Sequence, residues 1–467
     1  MSRFKNNYII FLMSFIILLL SVVNVNAISQ SSVDNYRVRV HTSSSTVNLK
    51  ATSKYKIYID DVENKYVLKD NDSIDIIKNN SSLEVKVRGT SLGAGTKIDI
   101  RKTVGSITSI ELKVGSSYVQ YPDNMRFMLS SDKSVINCIN VTNLETYLMG
   151  VLPYEMGANA PLEALKAQAV TARTLAVARV NKYQSEGYDI RNDTSDQVYK
   201  GYDSRYFAST HNVYKAVEQT KGVVLKYGNS LVTGLFYSNN GGMTVSDANV
   251  WSSGTQTPYY KSKVDEYDKS LHSTTAGWSI LNYSETYTAE ELRNIIINNS
   301  TAYSGYYKGN YMAPAFTMLS ENFKVEVKNN VNGYVTLSVI TDDAGRVYNV
   351  KNYANRWVYG LRSQQFKMTS KTNLSVKSDT TTTTMNNVYV KSATETKWVD
   401  NNNLYVQDSN SITKPNPSTY TFTGAGYGHG IGMSQNGAMN RADAGHSYKD
   451  ILGFYYDGCV TATGYGN

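Results

Sequence analysis

The chain has 467 residues, of which 41% are hydrophobic and 18% charged, and its formal net charge is +8. That length allows two or three domains, and the composition excludes a disordered or fibrous chain.

The first 27 residues have the layout of a secretory signal peptide. Arg3 and Lys5 precede an apolar run, and the small residues that end at Ala27 suit cleavage. An uncleaved membrane anchor is the alternative, because the run is near the short end for a membrane span. We therefore expect an exported protein, whose charge falls to +6 when Arg3 and Lys5 are removed. Such a protein is attracted to wall polymers or anionic lipid, although a bland basic surface explains the same charge.

The predicted fold class is α+β. Residues 28–116 contain segments such as "YRVRVH" and "SLEVKVRG", which alternate apolar and polar residues and predict a β-rich N-terminal module. A second stretch, residues 291–415, contains "FKVEVK" and "GYVTLSVIT" and predicts a β-rich insertion. Neither stretch contains a cluster of titratable residues that would indicate a site.

A helix is predicted in the middle of the chain, where residues 153–168 read "PYEMGANAPLEALKAQ". Pro161 suits its first turn, and no Gly or Pro interrupts the segment from there to Val180. The small apolar residues recur on one face, which is typical of a core helix: Leu165, Ala169, Ala172, Ala176 and Val180. Glu155 lies on a turn before this helix, with no acidic residue within five positions on either side.

The segment near the C-terminus reads "GAGYGHGIGMSQNGAMNRADAGHSYKDILGFYYDG". Its alternating glycines do not match a nucleotide-binding loop and predict an extended strand with one bare face. Ser434 is predicted to cap a short helix that Gly445 ends, and "SYKD" predicts a capping box for the next helix. His429 has three interpretations: a general acid/base, a donor to a sugar, or a satisfied core histidine.

The sequence offers little for metal or serine chemistry. Cys138, Cys459, His429 and His446 match no zinc-ligand spacing, and no GxSxG occurs. The two cysteines could pair or remain free, since their separation in sequence says nothing about geometry.

The stretches "YEMGANAPLEALKAQAVTARTLAVAR" near the middle and "GYGHGIGMSQNGAM" near the C-terminus together resemble the SpoIID/LytB family of bacterial cell-wall proteins. The resemblance runs from about residue 140 to the C-terminus and also includes "TSDQVYKGY", "YYKSKVDEYD" and "GLRSQQF". It implies a discontinuous catalytic core, residues 117–290 and 416–467, that is interrupted by the insertion at 291–415.

The resemblance implies a lytic transglycosylase that cuts between N-acetylmuramic acid and N-acetylglucosamine without a cofactor. Glu155 matches the family's single catalytic carboxylate, which protonates the departing oxygen and then deprotonates the C6 hydroxyl. Its pKa must then be raised by apolar surroundings such as Leu152 and Met156, against the opposing charges of Lys166 and Arg173. Some sporulation members of the family carry a Cys/His zinc site, but the matching segment "DTSDQVYKGY" has neither residue type, so no metal is expected.

Further residues are implied to bind the glycan. This chain departs from the family pattern at Ser238 and Asn239, which puts a contact there in doubt. The residues that the resemblance assigns to substrate binding are Lys166, Gln168, Arg173, Tyr237, Asn239, Gly241, Gly242, His429, Ser434, Gln435 and Tyr455.

A rival interpretation comes from the LytB-type members, which are described as modifiers that enhance a wall amidase. The expected partners are peptidoglycan glycan strands and a cell-wall amidase, with no nucleic acid. A membrane is expected only through an uncleaved N-terminal segment. We expect the protein to be secreted and associated with the cell wall or the sporulation septum; a sporulation role and a vegetative one stay equally open.

Overall fold

A computed structural model describes residues 29–466, with gaps at 104, 194, 252–254, 276–278, 303–315, 373, 378–381, 386, 392–395, 401–405, 408–411 and 414–415. The predicted signal peptide, residues 1–27, lies outside the described residues. In the described part of the chain, no helix has the length and apolar character needed to cross a membrane.

Two antiparallel-rich sheets share one hydrophobic core in the N-terminal part of the chain. The first sheet contains, in spatial order, Ile190–Arg191 (β13), Tyr36–Ser43 (β1), Ile136–Thr142 (β12), Asn124–Leu129 (β11), Lys97–Lys102 (β8), Tyr55–Ile59 (β3) and Val62–Leu68 (β4). The second contains Ser117–Pro122 (β10), Ser109–Val114 (β9), Thr46–Ala51 (β2), Ser73–Asn79 (β5), Ser82–Val87 (β6) and Thr90–Gly95 (β7). Alternate residues of strands such as β6 are buried, as the period-two pattern predicts.

Strands from both sides of residue 116 belong to these sheets. In the first sheet β1 pairs with β12, with Val38 opposite Asn140, and in the second β9 pairs with β10. The boundary between the modules 28–116 and 117–290 stays a prediction.

The helices pack mainly around one long, buried helix. The described α-helices are Gln30–Asp34 (α1), Leu144–Met149 (α2), Leu162–Ala178 (α3), Asn212–Gln219 (α4), Ala289–Ala302 (α5), Ala354–Val358 (α6), Gln435–Asp443 (α7) and Tyr448–Tyr455 (α8). Helix α3 contacts α2, α4, α7 and α8. The predicted core helix is confirmed, and burial extends almost all the way around it.

Two small sheets pair strands of the C-terminal segment with strands that follow α3 in the chain. The strands Val224–Tyr227 (β14), Ser230–Leu231 (β15) and Val460–Ala462 (β30) form one small sheet, and Phe236–Tyr237 (β16) pairs in parallel with Met433–Ser434 (β29). Short 3₁₀-helices are Gln184–Glu186, Asp247–Asn249, Glu266–Asp268, Phe316–Met318 and Gly464–Gly466.

A second hydrophobic core lies in the β-rich region that follows. Its two sheets are Asn282–Thr288 (β17), Thr419–Ala425 (β28) and Phe366–Lys371 (β21), and Phe323–Val331 (β18), Tyr334–Asp342 (β19) and Val347–Lys351 (β20). Three hairpins pair Leu374–Lys377 (β22) with Thr382–Met385 (β23), Asn387–Lys391 (β24) with Thr396–Asp400 (β25), and Val406–Gln407 (β26) with Ile412–Thr413 (β27). The predicted α+β fold class, rich in β structure, is confirmed.

The glycine-rich segment differs from the predicted extended strand. Strand β28 ends at Ala425, and Gly426, Gly428, Gly430 and Gly432 all have positive φ values between 79° and 118°. The prediction of a continuous strand is therefore wrong, because these glycines turn the chain instead of extending it. The expected close approach is present: a Cβ on Gly432 would lie 2.1 Å from the carbonyl oxygen of Leu235.

The two cysteines are free. Cys138 is buried in strand β12, and Cys459 is partly exposed. The sequence left a disulfide and free thiols as alternatives, and the structure shows free thiols.

Candidate active site

Glu155 lies on a π-helical turn, Pro153–Gly157, just after α2. Pro153 fits its first position because it has no N–H to leave unpaired. Gly157 has a φ of +96°, which glycine adopts without strain. The Glu155 amide donates to the Val151 carbonyl at 3.1 Å, which anchors the turn. Single π-helical turns occur frequently at functional sites.

The Glu155 side chain faces a cavity of about 440 Å³. Segments that are far apart in the sequence form its walls. The lining residues are Glu155, Leu175, Arg179, Ser195, Asp196, Val198, Leu235, Phe236, Tyr237, Ser238, Trp251, Tyr427, Gly428, His429 and Gln435. The cavity therefore joins the two stretches, near the middle and at the end of the chain, that the sequence analysis singled out.

Burial raises the pKa of the Glu155 carboxyl to about 7, because removal from water disfavours its charged form. Two groups oppose this shift. The Val198 backbone N–H donates to Oε1 at 2.6 Å, and the Gln435 side chain lies beside the carboxyl. A carboxyl with this pKa is protonated in part of the molecules and ionised in the rest near neutral pH, which suits a group that acts first as acid and then as base.

Gln435 reaches this position as the first residue of α7. Ser434 caps that helix, and its hydroxyl oxygen accepts from the Gly437 backbone N–H at 3.0 Å. The predicted cap is confirmed, as is the glycine that ends the helix, since Gly445 follows α7 with a φ of +90°. The capping box predicted at Ser447 is present as well.

A second carboxylate, Asp196, lines the cavity and was missed by the sequence analysis. Its Oδ1 lies 2.6 Å from Lys182 Nζ and 3.8 Å from Arg179 Nε, and its Oδ2 accepts from the Arg191 backbone N–H at 3.1 Å. Asp196 is therefore a charge-paired carboxylate. Glu155, in contrast, forms no ion pair with any described residue.

His429 lies in the cavity wall between two aromatic rings, with its centroid 5.3 Å from Tyr237 and 5.9 Å from Trp251. Its Nδ1 accepts from the Ile431 backbone N–H at 3.1 Å. Burial, helped by the charge of Arg356, lowers the pKa of His429 to about 4, although a hydrogen bond with the Phe236 backbone opposes the shift. The imidazole is therefore neutral near pH 7, and its bonds within the protein favour the interpretation of a satisfied histidine over a general acid/base.

A buried acidic network lies behind the cavity and was also missed. Asp268 accepts from the Ser434 hydroxyl at 2.6 Å, and Asp265 accepts from the Tyr455 hydroxyl at 2.6 Å and from Arg441 at 2.8 Å. Burial raises the pKa of Asp268 to about 7, and the neighbouring Asp265 adds to the shift. The network fixes the Ser434 cap and thus the residue that follows it, Gln435.

Of the residues predicted to bind substrate, Tyr237, His429 and Gln435 line the cavity. Ser434 and Tyr455 lie behind these lining residues, in the acidic network.

Three further predicted residues shape the backbone beside the cavity. The Asn239 backbone exchanges hydrogen bonds with Tyr427, at 3.3 Å and 2.8 Å. A Cβ on Gly241 would lie 2.5 Å from the Cβ of Ala425, and one on Gly242 would lie 3.0 Å from Lys269 Cγ. These glycines allow close packing of the chain, and the described cavity wall does not include them.

The three predicted residues of α3 lie elsewhere. Arg173 is fully buried and binds Glu145, with Nη2 2.5 Å from Oε2. Lys166 Nζ lies 2.6 Å from Glu163 Oε1. Gln168 is fully buried, and its amide has no hydrogen-bond partner among the described residues. None of the three is among the described lining residues. Lys166 and Arg173 were expected to oppose the pKa shift of Glu155, but each is paired with another carboxylate.

Among the described residues, no group of three or more His, Cys, Asp or Glu side chains is arranged to hold a metal ion. The expectation that the protein needs no metal or cofactor stays a prediction.

Comparison with known proteins identifies the class of protein. The family model described as "SpoIID: Stage II sporulation protein" matches residues 132–227, which include Glu155 and the whole of α3. The predicted resemblance to the SpoIID/LytB family is confirmed over this stretch.

Individual relatives are similar over longer stretches. The chain is 34% identical over 319 residues to the amidase enhancer of Bacillus subtilis (strain 168), covering 68% of this chain and 40% of that protein. It is 30% identical over 187 residues to the stage II sporulation protein D of the same organism, covering 38% of this chain and 52% of that protein. The chain thus spans about half or less of the length of these relatives.

The aspartates that the sequence analysis missed lie in segments that already carry the family resemblance. Asp196 lies in "TSDQVYKGY", and Asp265 and Asp268 lie in "YYKSKVDEYD", two of the segments that carry the resemblance. Spacing alone could not assign them, because their partners lie in remote parts of the chain.

Proposed function

We propose that the protein is a peptidoglycan lytic transglycosylase in which Glu155 is the single catalytic residue. The observation that carries the proposal is the state of this carboxyl group: it lines a cavity, is half-buried, has a pKa raised to about 7 and forms no ion pair with described residues. The similarity to the SpoIID/LytB family supports a glycan of the bacterial wall as substrate. The protein would act in wall remodelling outside the membrane.

The reaction needs only one carboxyl group because the substrate supplies the nucleophile. Protonated Glu155 donates its proton to the glycosidic oxygen as the bond to C1 of N-acetylmuramic acid breaks. The C6 hydroxyl of the same sugar attacks C1, and the Glu155 carboxylate accepts the hydroxyl proton. The products are a 1,6-anhydro-N-acetylmuramic acid end and a free C4 hydroxyl on N-acetylglucosamine, and no water is consumed.

Two other groups would tune this carboxyl. The Val198 N–H holds Oε1, and Gln435 lies beside the carboxyl in the cavity wall, where its amide is placed to meet a sugar. Asp196 is a poor candidate for the second carboxylate of a hydrolase, since Lys182 and Arg179 stabilise its charge.

The test is a digest of purified glycan strands, intact and stripped of stem peptides, by the wild type, Glu155→Gln and Glu163→Gln. Glu163 is a matched control, because it is a glutamate at the start of α3 that pairs with Lys166 outside the cavity. We expect anhydro ends from the wild type and Glu163→Gln, and a rate lower by about 10²–10⁴ for Glu155→Gln. Equal rates for all three proteins would refute the role of Glu155.

A second candidate function is enhancement of a cell-wall amidase without glycan cleavage. The similarity to the amidase enhancer, over 68% of this chain, favours it specifically. The discriminating measurement is the rate at which a purified wall amidase releases stem peptides with and without this protein. A non-catalytic enhancer would raise that rate equally as wild type and as Glu155→Gln, while producing no anhydro ends.

A further inference from the structure

A row of partly exposed aromatic side chains begins at the residue next to Glu155. Tyr154 is 41% exposed although it belongs to the same π-helical turn. Its ring meets that of Tyr206 edge to face, with centroids 6.3 Å apart, and Tyr206 meets His211 at 5.2 Å. We call these three residues, with Tyr202 and Phe207 beside them, the aromatic shelf. The Tyr202 and Phe207 rings are 4.6 Å apart.

The shelf is attached to the same backbone that holds Glu155. Val198, whose N–H binds the carboxyl, lies only four residues before Tyr202 in the chain. The segment between them is tightly fitted: the Tyr202 N–H donates to Gln120 at 2.7 Å, and a Cβ on Gly201 would lie 2.1 Å from the Gln120 oxygen. A ligand on the shelf would therefore meet a pre-ordered surface, which lowers the entropic cost of binding.

The shelf has no net charge that would select an ion. The Arg205 guanidinium lies 5.1 Å above the Tyr206 ring, but it is paired with Asp203, 2.6 Å from Nη2 to Oδ2. The exposed, uncharged ring of Tyr154 suits the C–H face of a pyranose ring, and it has no complement for a phosphate-rich polymer.

We infer that Tyr154 and the aromatic shelf form an additional saccharide subsite, which binds an N-acetylated sugar of the glycan strand beyond the sugars held in the cavity. The inference rests on the proposed glycan substrate and deepens it: the protein would bind long strands in preference to short ones. The shelf, bound through stacking, would keep the strand attached next to the reacting bond.

The test measures binding rather than cleavage, so that it is independent of the catalytic proposal. In the Glu155→Gln background, the affinity for peptide-free oligosaccharides of two, four, six and eight sugars is measured by calorimetry. We expect affinity to rise with length, and Tyr154→Ala to weaken binding of the six- and eight-sugar ligands about fivefold to tenfold while changing the two-sugar ligand less than about twofold. Tyr154→Phe should retain the affinity, because the ring remains.

Tyr118→Ala is the matched control, since Tyr118 is equally exposed at 40% but lies on strand β10. It should bind every ligand like the parent. The inference is overturned if Tyr154→Ala binds long oligosaccharides as tightly as Tyr118→Ala, if it weakens all lengths equally, or if no length binds at all. Failure of the wild type to cleave glycan would instead refute the transglycosylase, and a length-dependent effect of Tyr154→Ala would still support the subsite.

Discussion

At the scale of single residues, the burial of one carboxyl group governs the chemistry of the candidate site. Glu155 is half-buried, desolvation is the largest influence on its pKa, and the groups that oppose the shift are a backbone N–H and a neutral amide rather than cations. The shift therefore survives, and the same carboxyl can donate and accept a proton near neutral pH. This has consequences for both rate and stability.

The pH dependence of the rate follows from the sign of the shift. Because the first step requires protonated Glu155, kcat/KM should fall as the pH rises above about 7, approaching a tenfold loss for each further pH unit. The measurement is kcat/KM from pH 5 to 9 on peptide-free glycan. Asp268→Asn serves as the control for the other carboxyl with a pKa of about 7. A descending limb that disappears in Asp268→Asn would contradict the assignment to Glu155.

The stability of Glu155→Gln should depend on pH. The folded-state pKa of about 7 lies above the ordinary value of 4.5, so the folded wild type loses stability relative to the unfolded chain as the pH rises from about 4.5 to about 7. The glutamine variant lacks this loss, and it should gain on the order of 3 kcal/mol over the wild type across that window. Urea unfolding at pH 4.5 and pH 8 measures it, and a constant difference between the two proteins would contradict the burial argument.

At the scale of elements, the N-terminus of α7 connects the buried acidic network with the cavity. Ser434 bonds both Asp268 and the first turn of the helix, and Gln435 extends from that turn toward Glu155. The position of Gln435 thus depends on a cap that does not itself line the cavity.

Ser434→Ala should therefore affect both stability and activity. Loss of the cap should cost about 1–2 kcal/mol of unfolding free energy, and the displaced Gln435 should lower kcat. Ser447→Ala removes the cap of α8, which is remote from the lining residues, and should cost similar stability with unchanged kcat. Thermal unfolding and glycan cleavage of the two variants test this, and equal kcat values would show that the cap does not position the site.

The glycine-rich segment makes a second prediction at this scale. Gly432→Ala and Gly445→Ala both place an alanine at a positive φ, of 79° and 90°, so both pay a similar backbone strain. At Gly432 the new Cβ would lie 2.1 Å from the carbonyl oxygen of Leu235. At Gly445 no atom lies within 4 Å of the new Cβ. Chemical unfolding should show a loss for Gly432→Ala that exceeds that of Gly445→Ala by about 1–3 kcal/mol. Similar losses would mean that crowding by Leu235 is unimportant.

At the scale of the whole molecule, the N-terminal strands and the region of the candidate site share one core. Strand β12 is buried at every position and lies between β1 and β11. The strands of the predicted N-terminal module therefore cover surfaces of the region that contains α3.

A fragment that starts at residue 117 should consequently fail to fold. Without β1, buried β12 would become an edge strand with unpaired backbone N–H and C=O groups, so the fragment should lack the near-ultraviolet circular dichroism of the full chain and should aggregate. A chain that starts at residue 28 is the control and should retain the near-ultraviolet circular dichroism of the full chain. A fragment 117–467 with a cooperative unfolding transition would contradict this prediction and support an independent domain boundary.

The features that were predicted correctly from the sequence are those that depend on residues close together in the chain. Helix α3, the Ser434 cap and the Ser447 capping box follow from local propensity and hydrogen bonding, and they are present. The glycine segment was misjudged because alternating glycines do not reveal the sign of φ, and the contact of Gly432 with Leu235 joins remote parts of the chain. The acidic network was missed because Ser434 is 166 positions away from Asp268 in the chain, a pairing that no local pattern contains.

The most direct test of the central claim is a digest of peptide-free glycan strands in ¹⁸O-labelled water, with the products analysed by mass spectrometry. If Glu155 activates the C6 hydroxyl of the substrate, every new end is a 1,6-anhydro end and contains no ¹⁸O. New reducing ends that contain ¹⁸O would contradict the account, since water would then be the nucleophile and a second carboxylate would be required.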